Sequence, residues 1–167
     1  MAELSALERL QPALLDRLID EAPGNREEPR EMQLLNSRQL RAAVLRDLAW
    51  LFNASRPTDD SFEFAPHVRR SVLNFGLPPL SGLRASTLDR QILTSVIRQA
   101  ILDFEPRIEP TSLRVEVPDD DRALERHNQI EVSIRGQLWA QPVPLELLLH
   151  TAVDLETGQI QIQDKSF

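Results

Sequence analysis

Residues 86–118 read STLDRQILTSVIRQAILDFEPRIEPTSLRVEVP, and within them the apolar period changes from 3.6 to 2. In the first half Leu88, Ile92, Val96 and Ala100 share one stripe, with Leu93, Ile97, Ile101 and Phe104 beside it. A stripe that wide predicts a central, largely buried helix. Ser86-Thr87-Leu88-Asp89 has the form of a capping box that opens it, with Asp where Glu is more usual. Pro106 disfavours helical backbone at Glu105, so the helix should end near Phe104. In the second half Leu113, Val115 and Val117 alternate with Arg114 and Glu116, as in a half-buried strand, and Pro118 closes it.

Downstream the period stays at 2. Asp119-Asp120-Asp121 and the polar run to Asn128 read as an exposed loop. Ile130, Val132 and Ile134 alternate with Glu131, Ser133 and Arg135, and Gly136 suggests a bulge before Leu138-Trp139. Leu145, Leu147, Leu149, Thr151 and Val153 form the next alternating set. Glu156-Thr157-Gly158 has the composition of a hairpin turn, and Gln159 to Gln163 returns as a short strand.

Upstream the signals are helical. Ser37 reads as an N-cap, followed by Leu40, Val44, Leu48, Leu51 and Phe52 on one face, with Arg38, Arg41 and Asp47 off it. Asn53 can end that helix, and Ser55 to Ser61 is loop. Pro66 suits the first position of a short helix to Phe75, Gly76 a left-handed stop, and Pro78-Pro79 forbids continuation. Helices first and strands second make the class α+β. The expected architecture is N-terminal helices and a long buried helix on one face of a C-terminal, mainly antiparallel sheet of about four strands.

Ahead of this domain Leu4, Leu7, Leu10, Leu14, Leu15 and Leu18 recur at helical spacing. Pro12 interrupts them, so two short helices, or one starting near Gln11, fit better than one long helix. Asp20 to Glu31, with Pro23-Gly24 and Pro29 among mixed charges, reads as a solvated linker. The chain thus divides into a helical peptide with a polar linker, residues 1–32, and a domain, residues 33–167. An apolar peptide beyond a linker either docks on a partner or folds back onto its own domain.

The 167 residues allow one domain with an appendage. Nineteen Lys and Arg against 26 Asp and Glu give a net charge of −7. Such a balance argues against a general nucleic-acid binder, which needs a basic footprint. Every cation but Lys165 is an arginine. Cysteine is absent, which removes disulfides, thiol catalysis and thiolate metal sites. The first ten residues lack a basic head and apolar run, so no signal peptide is expected, and no apolar run is long enough to insert in a membrane. The expectation is a soluble cytoplasmic protein.

Chemistry is sparse. His67, His127 and His150 have no second ligand at helical spacing, so no metal site is expected, and His150 reads as a sheet-surface residue. No serine sits in a nucleophile elbow, the five glycines build no phosphate loop, and the three aspartates lack calcium-loop spacing. No cofactor is implied. One segment stands out: Phe104-Glu105-Pro106-Arg107-Ile108, where two opposite charges flank a proline between helix and strand. If buried, each must find a partner. They either satisfy each other and lock the joint, or reach into another chain. A glycosidase acid at Glu105 would need a second carboxylate, with Asp103 and Glu109 as candidates by proximity.

Four ordered stretches carry a family resemblance: Leu14-Leu15-Asp16-Arg17-Leu18; Arg46-Asp47-Leu48-Ala49-Trp50-Leu51-Phe52-Asn53; Ser71-Val72-Leu73-Asn74-Phe75-Gly76-Leu77-Pro78; and Phe104-Glu105-Pro106-Arg107. Together they resemble the TssE baseplate subunits of type VI secretion, within the phage-tail baseplate wedge family labelled lysozyme-like. Ala54-Ser55-Arg56 follows Asn53 where secretion members often read Thr-Arg, and Phe75 stands where Tyr is common. The resemblance implies a structural subunit rather than an enzyme. Its implied partners are the wedge subunits TssF and TssG, nearby TssK, and the sheath subunits TssB and TssC. It implies a cytoplasmic baseplate docked at the inner face of the membrane, and a wedge-holding role for Glu105, Pro106 and Arg107.

Three contacts are expected on that basis. Gln159, Ile160, Gln161, Ile162 and Gln163 should lie at a sheet edge able to accept a sheath strand. Glu105 and Arg107 would clamp the wedge bundle. Leu14, Leu15 and Leu18 would touch a partner. The alternatives are a peptidoglycan-cleaving muramidase, after the family label, and a small anti-adaptor-like binding module.

Overall fold

A computed structural model describes residues 13–18, 35–57, 65–80, 89–118, 129–140 and 143–165. Its elements are α1 (Leu14–Leu18), α2 (Ser37–Asn53), α3 (Pro66–Arg69), a 3-10 turn (Val72–Asn74) and α4 (Arg90–Phe104), then β1 (Arg114–Glu116), β2 (Gln129–Leu138), β3 (Leu145–Asp154) and β4 (Ile160–Asp164). The first leucines and Pro12, the linker from Asp20 to Glu31, Ser86–Leu88 and the loop from Asp119 to Asn128 lie outside the described residues.

The four strands form one antiparallel sheet in the order β1-β2-β3-β4. This is the expected α+β meander. In β2 the even-numbered residues Ile130, Val132, Ile134 and Leu138 are buried, and in β3 Leu147, Leu149, Thr151 and Val153. Leu40, Val44, Leu48 and Leu51 of α2, with Leu93, Ile97 and Ile101 of α4, join that face in one core. Each fully buried leucine or isoleucine contributes about 1.5–3 kcal/mol of transfer free energy.

Local details differ from the sequence reading in five places. The cap of α2 is Asn36, not Ser37: its side chain accepts from the Gln39 N–H at 2.9 Å, and Gln39 Oε1 accepts from the Asn36 N–H at 3.0 Å. Only that pair can reciprocate at a spacing of three, because Leu40, three beyond Ser37, has no acceptor. Asp89 caps α4, taking the Gln91 and Ile92 N–H groups at 2.8 and 3.2 Å. Helix α4 is also less enclosed than its stripe suggests, since Ile92 is 61% exposed.

Gly136 makes no bulge. It pairs with Leu147 in an unbroken register. A β-carbon there would lie 3.2 Å from Ile108 Cγ2, so the glycine admits Ile108 from the segment after α4. Nor does one helix run from Pro66 to Phe75. After Arg69 the chain turns, and Ser71 caps the 3-10 turn by accepting from the Leu73 N–H. Gly76 has φ +117°, and a β-carbon would fall 2.3 Å from the Ala54 carbonyl oxygen. That close approach lets Leu77 donate to Ala54 and accept from Arg56, each at 2.9 Å, which pins residues 54–56 to 76–77.

Candidate functional site

Helix α4 stops where proline dictates. Glu105 donates its N–H to Ile101 at 2.8 Å but has left helical geometry, at φ −121° and ψ 78°. The chain then turns through Pro106 and runs beside the end of β2: the Trp139 N–H donates to the Arg107 carbonyl, and the Glu109 N–H to the Gln137 carbonyl, both at 2.8 Å. Ile108 bridges Leu138. Backbone pairing therefore holds both ends of the charged segment.

Within this joint Glu105 is 3% exposed. Arg107 closes a fork on it, Nε to Oε1 at 2.6 Å and Nη2 to Oε2 at 2.5 Å, and the Arg107 N–H also donates to Oε1 at 3.2 Å. The same Nη2 donates to Asp47 Oδ2 at 2.6 Å. Asp47 Oδ1 accepts from Arg46 Nε and Nη2 at 3.0 and 2.9 Å. Arg46 in turn donates through Nη1 and Nη2 to the two carboxylate oxygens of Asp16 in α1. Five side chains of alternating sign thus run in a line: Asp16, Arg46, Asp47, Arg107, Glu105.

The titration of these groups follows. Burial of Arg107 works against its charge, but the hydrogen bonds and charges of Glu105 and Asp47 outweigh it and raise its pKa. Arg46 is raised chiefly by its bond to Asp16, with Asp47 adding to it. Asp16 is lowered, first by the Arg46 hydrogen bond.

The four motif stretches converge here. Three supply the charges. The fourth places Phe75 edge-on to Phe104, ring centroids 5.2 Å apart at 73°, directly before Glu105. Glu105 and Arg107 satisfy each other inside the chain. Pro106, between them, is exposed. Spacing placed Asp47 only off the apolar stripe. Its link to Arg107, and that of Asp16 to Arg46, join positions 60 and 30 apart that periodicity cannot connect.

Both Glu105 oxygens face Arg107, Asp103 is bonded by Arg70 Nε and Gln99 Nε2, and Glu109 accepts from Thr111 Oγ1. Among the described residues no three His, Asp or Glu side chains gather to hold a metal. His67 and His150 are exposed, His150 on the sheet surface as expected, and His127 lies outside the described residues. No helix among the described residues is long and apolar enough to cross a membrane.

The N-terminal leucines are oriented by the same network. Asp16 faces Arg46, while Leu14 and Leu18 are 74% and 73% exposed and Leu15 is also exposed. Trp50, beneath the Arg46 guanidinium at 5.1 Å, is half exposed.

At the far side, β4 is the sheet's last strand, as expected of Gln159 to Gln163. Its edge is not bare. Asn53 Oδ1 accepts from the Ile160 N–H, and Asn53 Nδ2 donates to the Ile160 carbonyl, both at 2.9 Å. Arg41 Nη1 reaches the Asp164 carboxylate at 3.3 Å. Beside Asn53 lies an open hollow of about 460 Å³, lined by Phe52, Ser55, Leu77, Pro78, Pro79 and Gly158 among others.

The domain is thus a two-layer α+β fold whose charged side chains tie its own elements together. The chain belongs to the family of the baseplate wedge protein gp25, whose family model matches residues 38–143, and that membership supports a structural role in a baseplate. The match runs from α2 through β2, leaving α1, β3 and β4 outside it. No curated protein and no solved structure matches the chain.

Proposed function

We propose that this chain is the TssE-like wedge subunit of a type VI secretion baseplate, docking on TssF and TssG near TssK and templating the first ring of the TssB–TssC sheath. Membership of the baseplate wedge family supports the structural role. The observation that carries the finer reading is the convergence of all four resemblance stretches on one joint.

In this reading Glu105 and Arg107 act from inside. They rigidify the corner that presents Pro106, and through Asp47 and Arg46 they hold α1 with its leucines outward. Leu14, Leu15, Leu18 and the half-exposed Trp50 then form the face offered to the wedge helices, an apolar surface of the kind amphipathic helices bury. Residues 1–32 serve as the arm carrying that contact. The assembly sits in the cytoplasm, at the inner face of the membrane.

The sheath contact belongs to β4. Ile162→Pro tests it. The Ile162 N–H points away from β3, so proline removes a donor that the internal ladder does not use. The variant should keep TssF and TssG in a pull-down and lose TssB–TssC. Full sheath recruitment would refute the edge. The muramidase alternative has no support in the geometry of Glu105, and a cell-wall suspension should keep its turbidity with the purified chain.

A further inference from the structure

The phase of the β3–β4 ladder decides which main-chain groups of β4 face outward. The Asp154 N–H donates to the Gln159 carbonyl at 2.9 Å, and the Lys165 N–H to the Leu148 carbonyl at 2.8 Å. Gln159, Gln161, Gln163 and Lys165 therefore turn toward β3, and Ile160, Ile162 and Asp164 turn outward. At Ile160 the outward pair is taken by Asn53, whose amide makes the two bonds that a residue of a neighbouring strand would exchange. The outward pair of Ile162 has no partner among the described residues.

We propose that Asn53 is a register stop: a strand added to β4 by another chain pairs with Ile162 and is turned away at Ile160. The inference rests on the reading of β4 as the sheath-docking edge and adds where that pairing must end. Asn53 is poorly placed to yield. Its Nδ2 also donates to the Ala49 carbonyl at 2.8 Å, so the amide is held by three bonds. It is the last residue of α2, directly after Leu51 and Phe52, which are buried in the core. Past it the incoming chain meets Pro78 and Pro79, which offer no N–H to a strand, and the hollow beside them gives it room to turn off.

The edge also states what it fits. Ile160 and Ile162 lie on the core face, Gln161 and Gln163 on the solvent face. Residues opposite each other in a ladder share a face. The added segment is therefore an extended strand with an apolar residue opposite Ile162 and polar residues on either side.

Amide hydrogen exchange of the full chain, alone and with a co-expressed TssB–TssC pair, tests this. In the wild-type chain the Ile160 amide should be protected before and after addition, while Ile162 slows by about tenfold or more on addition. In Asn53→Ala the Ile160 amide should exchange freely alone and become protected on addition, because the pairing advances by one step. If Asn53→Ala fails to fold, Asn53→Ser removes the same two bonds with a residue that still tolerates a helix end. Slowing at Ile162 without gain at Ile160 in the variant overturns the stop and leaves the docking edge standing. No slowing at Ile162 in the wild-type chain overturns both.

Discussion

Arg107 Nη2 lies 2.6 Å from Asp47 Oδ2, which ties the turn after α4 to the middle of α2 across 60 positions of sequence. The same nitrogen contacts Glu105, so one guanidinium neutralises two carboxylates from different elements. The guanidinium also grips Glu105 through two nitrogens, Nε and Nη2, which a single-nitrogen ammonium cannot do. The helix–sheet joint is held by this arrangement in addition to its apolar contacts.

Glu105→Gln should therefore destabilise the domain strongly. It leaves the buried Arg107 charge only partly compensated, and removing one member of a buried pair costs about 3–5 kcal/mol. For a chain of this size that is a fall of roughly 6–20 °C in melting temperature. Arg107→Lys should fall in the same direction but less far. Calorimetry of both variants provides the check, and an unchanged midpoint would contradict the lock.

The docking of α1 should respond to acid. Arg46 holds the Asp16 carboxyl below its ordinary range, so this contact contributes fully above the usual aspartate pKa of about 4 and is lost as pH falls through the lowered value. Trp50 packs against Arg46, and its fluorescence in a Trp139→Phe background reports the release. The signal should be flat from pH 7 to about 5 and change only below about 4. A transition near neutrality would contradict the assignment.

Gly76→Ala should cost more than Gly136→Ala. The first forces a β-carbon against the Ala54 carbonyl at φ +117°, and strain of that kind alone costs about 1–3 kcal/mol. The second meets a flexible Ile108 methyl at 3.2 Å. Urea midpoints of the two variants should separate in that order.

Leu14→Ser and Leu18→Ser should leave stability within about 0.5 kcal/mol, as exposed substitutions do. Both should weaken capture of TssF and TssG. A fall in stability would place these leucines in the core instead.

The sheet is legible in the sequence because alternation in β2 and β3 spans ten residues each, with one face packed and the other wet. Helix α2 is equally clear from Leu40 to Phe52. What sequence leaves open are relations between distant segments. Gly136 reads as a bulge until Ile108 is seen beside it, and Asn53 reads as a helix end although its amide also seals Ile160. The charged corner is legible as a pair of residues that need partners. Which partners they take depends on α2 and α1, which no local pattern connects to Pro106.

The most direct test of the account is gel filtration of the full chain co-expressed with TssF and TssG. The account predicts that the chain elutes with them as one complex. Elution as a free 19.0 kDa protein, with TssF and TssG assembled without it, would contradict the claim that this domain works by docking into a wedge.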